Sequence, residues 1–104
     1  MNIKLIKMPL RETLIAELVF DDTDSVTLKN PMVIVILGAS QADPNVPEIG
    51  LAPWEQFSAD DEVVVDKQQI LAIMNPIEGL KNEYNAAFGS GIVTASQKII
   101  LPGR

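Results

Sequence analysis

The sequence predicts a small, mainly β domain: a five-stranded antiparallel barrel with one C-terminal helix and an extended tail. Three observations predict it. Two runs rich in β-branched residues, 13–20 and 25–37, are separated only by the turn sequence "DDTDS". Two shorter apolar runs, 62–65 and 69–74, flank a tight bend at 66–68. One helical pattern, "NPIEGLKNEYNAAFG", follows them. Short antiparallel strands favour closure into a barrel, because closing the sheet removes its edges.

The elements follow in order. "NIKLIKM" alternates Ile3, Leu5 and Met8 against Asn2, Lys4 and Lys7, which reads as a short half-exposed strand. In 13–20, Leu14, Ala16, Leu18 and Phe20 share the expected core face. Ile15 and Val19 make the opposite face half apolar, so a covering element is expected there too. The 25–37 run carries Pro31 near its midpoint, and proline has no amide to give a central ladder. Either the run is two strands joined by a turn at "LKNP", or it is one long strand that bends where it changes partners. The segment 37–61, rich in Gly, Pro, Asn and Asp, reads as a long loop insertion. In the helix, 76–88, Asn75 suits the N-cap, Pro76 the first helical position and Glu78 the capping box. Ile77, Leu80, Tyr84 and Phe88 form its apolar stripe, and Gly89 stops it. Residues 89–104 read as an extended tail. Leu14, Leu18, Val26, Leu28, Val65 and Ile70 are the expected core.

With 104 residues the chain suits one domain, 1–104. It has no cysteine and no histidine. Disulfides, thiolate metal sites, zinc-histidine sites and every histidine-based triad are therefore excluded. The net charge of −6 is unlike the basic surface of a typical free-standing nucleic-acid binder. The start of the chain does not read as a signal peptide, and the longest apolar run, 32–37, is too short to span a bilayer. A cytoplasmic protein, with no membrane partner, is expected.

Two motifs resemble the Sm-like family, including its Hfq branch. "TLIAELVFDDTDSVTLKNP" is similar to the family's first signature, in which an Asp-containing loop joins the second and third strands. "VVVDKQQILAIMNP" is similar to the second: apolar strand, tight turn, then apolar residues three apart (Ile70, Ile73) and a proline, Pro76. The chain also looks like small proteins of T4-like marine phages, for which the host cytoplasm would be the setting. The resemblance implies a five-stranded, bent Sm-like barrel and favours the bent reading at Pro31. It implies a homo-oligomeric ring of roughly five to seven subunits, in keeping with closed symmetry. It also implies single-stranded RNA bound by the loops 21–25 and 66–68, with Lys67 on phosphate and Thr23, Ser25 and Gln68 on base edges.

The sequence departs from the family where RNA would be held. Thr23 and Ser25 stand where the family has an apolar or aromatic residue and an Asn, and Asp66-Lys67 replaces the usual Arg-Gly. The helix also follows the strands instead of preceding them. These departures keep a second reading open: an oligomeric protein–protein or structural module that has lost RNA binding, with an unknown protein partner. Trp54 and Phe57 are then either partner anchors or loop-to-core packing. An enzyme is not expected. "SADDE" clusters Asp60, Asp61 and Glu62, but reads as a solvated acidic run, with no nucleophile–base pair and no phosphate loop beside it. "DDTDS" lacks the Gly and Glu of a calcium loop. No catalytic residue, metal or cofactor is assigned.

Overall fold

The computed structural model describes residues 2–39, 41–45 and 47–88. The expected tail, 89–104, lies outside them. The elements are β1 (Ile3–Lys7), β2 (Thr13–Asp21), β3 (Ser25–Ala39), β4 (Pro47–Pro53), β5 (Glu62–Asp66), a 3-10 turn (Lys67–Gln69), β6 (Ala72–Met74) and α1 (Glu78–Phe88). All strand pairs are antiparallel. The sheet order is β4-β3-β2-β1-β6, and β5 pairs the first part of β3.

β3 settles the place of Pro31. It is one strand of 15 residues that bends and changes partners. Residues 25–29 pair β5, while 32–39 pair β4. On its other edge Lys29 sits opposite Glu17 and Met32 opposite Ile15, so Asn30 and Pro31 together face the single residue Ala16. This is a β-bulge, where a ladder donor is dispensable. Asn30 takes the left-handed φ of 50°. The backbone groups there still find partners. Asn30 N–H donates to the Asp61 carbonyl at 2.6 Å, and the Pro31 carbonyl accepts from Trp54 N–H at 3.1 Å.

Three expectations need correction. The sheet has six strands instead of five, and it is not closed into a barrel. The extra strand comes from the expected loop 37–61: β3 runs on to Ala39, and β4 folds back against it. "PEIGLAP" looks like loop because of its prolines, yet Pro47 and Pro53 stand at the ends of an edge strand, where proline is tolerated. Ile49 and Leu51 alternate onto the helix-covered face. Third, the expected strand 69–74 is shortened to β6, because Lys67–Gln69 winds into a 3-10 turn. α1 begins at Glu78, and Asn75 instead accepts a bond from Lys4 Nζ.

Two apolar clusters lie on the sheet's two faces. Ile6, Met8, Leu14, Ala16, Val26, Leu28 and Val65 form one. Ile3, Ile15, Ile49, Leu80 and Tyr84 form the other, in which α1 covers the second face that Ile15 signalled. Of the expected core, Leu18 and Ile70 are only half-buried, packed against the first cluster. Phe20 leaves the core face altogether and is 61% exposed. The cause is a second bulge: Leu18 faces Leu28 and Phe20 faces Thr27, so Val19 is an extra residue that reverses the alternation.

Candidate nucleic-acid interface

The two loops singled out from sequence meet at one end of the sheet. The 21–25 hairpin closes with Asp22 N–H donating to the Ser25 carbonyl at 2.9 Å. Thr23 N–H donates to Asp22 Oδ1 at 2.8 Å, leaving the Thr23 side chain exposed at the tip. Ser25 opens β3 as the cross-strand partner of Asp66. Asp66 then caps the 3-10 turn: its Oδ1 accepts from Gln68 N–H at 2.9 Å. Lys67 N–H donates to the Asp24 carbonyl at 2.9 Å, tying the second loop to the first. Thr23, Ser25, Lys67 and Gln68 are thus brought onto neighbouring turns.

The electrostatics of this end are acidic. Lys67 Nζ lies 2.6 Å from Asp21 Oδ1. Asp22, Asp24 and Asp66 add three more carboxylates to the same two loops. One cation therefore shares these two loops with four anions. Asp21 is the residue that sequence reading placed in the turn without a role. Its meeting with Lys67 depends on β5 pairing β3, a long-range contact that local pattern does not carry.

A second concave feature lies away from these loops. A cavity of about 600 Å³ opens between the β3 bend, the 54–61 segment and the end of α1. Trp54 lines it, held by an indole N–H bond to Glu12 Oε2 at 3.0 Å and packed against the first core cluster. Phe57, by contrast, is 89% exposed. Asp60 and Asp61 are exposed on the cavity's wall. Among the described residues, no group of three or more carboxylates gathers as a metal site, and no helix is long and apolar enough to cross a membrane.

With this geometry in place, comparison with known families identifies the chain's relatives. The family model described as Sm_like domain matches residues 5–85. The chain belongs to the Sm-like family. Proteins of this family are typically RNA-binding oligomers and are in general not enzymes. No curated protein matches the chain significantly. In this Sm-like chain the family match takes in both loops and ends within α1, so the helix after the strands is part of the matched region.

Proposed function

We propose that this Sm-like protein acts as a homo-oligomeric ring of roughly five to seven subunits, a closed symmetric assembly. Its loops 21–25 and 66–68 face single-stranded RNA, with Lys67 on phosphate and Thr23, Ser25 and Gln68 on base edges. The observation that carries the reading is the bond from Lys67 N–H to the Asp24 carbonyl, which holds both loops together. Assembly is supported by the outer edges of β5 and β6, which have no strand partner among the described residues. Val64 is 67% exposed, and Ile73 and Met74 are also exposed. Edges of this kind are stable when covered by another strand.

One observation favours a second reading, a protein-interaction module. Lys67 is already paired with Asp21, and the 21–25 loop carries three carboxylates against no cation of its own. Binding of oligo-U and oligo-A RNA at two salt concentrations, with light scattering on the same samples, separates the readings. The RNA reading expects saturable, salt-weakened binding by an assembly, lost in Lys67→Ala. Asp21→Asn releases Lys67 and should tighten binding by about two- to fivefold, the range of an exposed ion pair. An intact assembly that binds no RNA even at low salt hands the case to the interaction module. A monomer at high micromolar concentration removes the ring.

A further inference from the structure

The cavity at the β3 bend has an apolar floor and an acidic rim. Met32, Trp54, Val63 and Phe88 are among its lining residues, and Glu55, Asp60 and Asp61 lie around them. Its frame is fixed. Trp54 is bonded through its indole to Glu12 and through its backbone to Pro31, and the Asp61 carbonyl is bonded to Asn30 N–H. Such a site fits a short segment that pairs a branched apolar side chain with a cation.

The chain itself contains that chemistry beyond the described residues. All 14 acidic side chains lie in 1–88, with six of the eight basic ones, so that part carries a charge of −8. Residues 89–104 have no acid and carry +2, from Lys98 and Arg104. Their apolar stretch is Ile99, Ile100 and Leu101, directly after Lys98. The described chain ends at Phe88, in the cavity wall. Lys98 is ten residues on, a reach of up to about 33 Å. A tether that short gives a local concentration in the millimolar range, ahead of any free peptide of similar sequence.

We infer that the cavity is a binding site for residues 98–101 of the same subunit, with the branched side chains on the Trp54 floor and Lys98 at the Asp60–Asp61 rim. This goes beyond the ring and RNA reading and does not depend on it. The chain's only tryptophan reports on the site directly. In the 104-residue chain, nuclear Overhauser contacts are expected between the Trp54 indole and the methyl groups of Ile99, Ile100 or Leu101. They should persist as intramolecular contacts in a mixture of labelled and unlabelled protein. Ile100→Asp should shift Trp54 emission to the red and raise acrylamide quenching about twofold, and Lys98→Glu should do so to a lesser degree. Far-UV circular dichroism checks that the sheet is kept. Absence of the contacts in the unaltered protein overturns the proposal. So do contacts seen only between different molecules, and so does Trp54 emission that Ile100→Asp leaves unchanged.

Discussion

Tyr84 joins the helix to the bend. Its hydroxyl lies 2.9 Å from both the Lys29 and the Asn30 carbonyl, sharing one proton between them. Its ring is buried in the second cluster and meets the Phe88 ring at a tilt of 45°, centroids 5.0 Å apart. Sequence spacing placed Tyr84 on the apolar stripe of α1, but gave no sign of the hydroxyl's partners, which come from a strand more than fifty residues earlier. Burial is the main cause that pushes its pKa from 10.0 up to about 12; backbone hydrogen bonding at Glu17 offsets part of the rise and the Glu17 carboxylate adds to it. The fold thus favours the neutral phenol. Its contribution is complete below pH about 10 and is lost as the pH rises from there through about 12. As the only tyrosine, it can be titrated by phenolate absorbance, with a midpoint near 12 expected in the folded protein and near 10 in urea. Tyr84→Phe should cost about 0.5–1.5 kcal/mol at neutral pH and remove this alkaline loss, as read from urea midpoints.

At the scale of elements, the strands were legible wherever alternation or β-branching was strong, as in β2, β3 and β5. β4 was hidden because its prolines and glycine read as loop, and its strand identity comes from lying against the far half of β3. The outward turn of Phe20 was hidden because a bulge is set by pairing register, which one strand alone does not reveal. The bend at Pro31 was legible as a problem, and pairing with two different partners resolved it. That bend makes a sharp test. Asn30 sits at φ 50°, where a β-branched residue is disfavoured by about 1–2 kcal/mol. Asn30→Val should lose at least that much in chemical denaturation, whereas Asn30→Gly, which accepts the same φ, should stay close to the parent.

Over the whole molecule, local pattern showed the candidate site only as two separate loops, and the family resemblance joined them; the physical link is β5 pairing β3, which sets Asp66 against Ser25. The order in which the chain makes its sheet has a further consequence. β1 with β2, β2 with β3 and β3 with β4 are each joined to the next strand along the chain. β6 is the opposite case. It closes the circuit from Ala72 back to Lys7 through only three residue pairs. Closing so long a loop costs entropy that three pairs repay poorly. β6 should therefore detach in brief openings that leave the β1–β4 meander intact. Native-state hydrogen exchange reads this directly. Amides of β6 should exchange faster than those of β2 and β3 in dilute solution. If a neighbouring subunit covers its outer edge, their exchange should slow as protein concentration rises, while that of β2 stays constant. The last strand then behaves as a hinged flap, whose order is completed by the company it keeps.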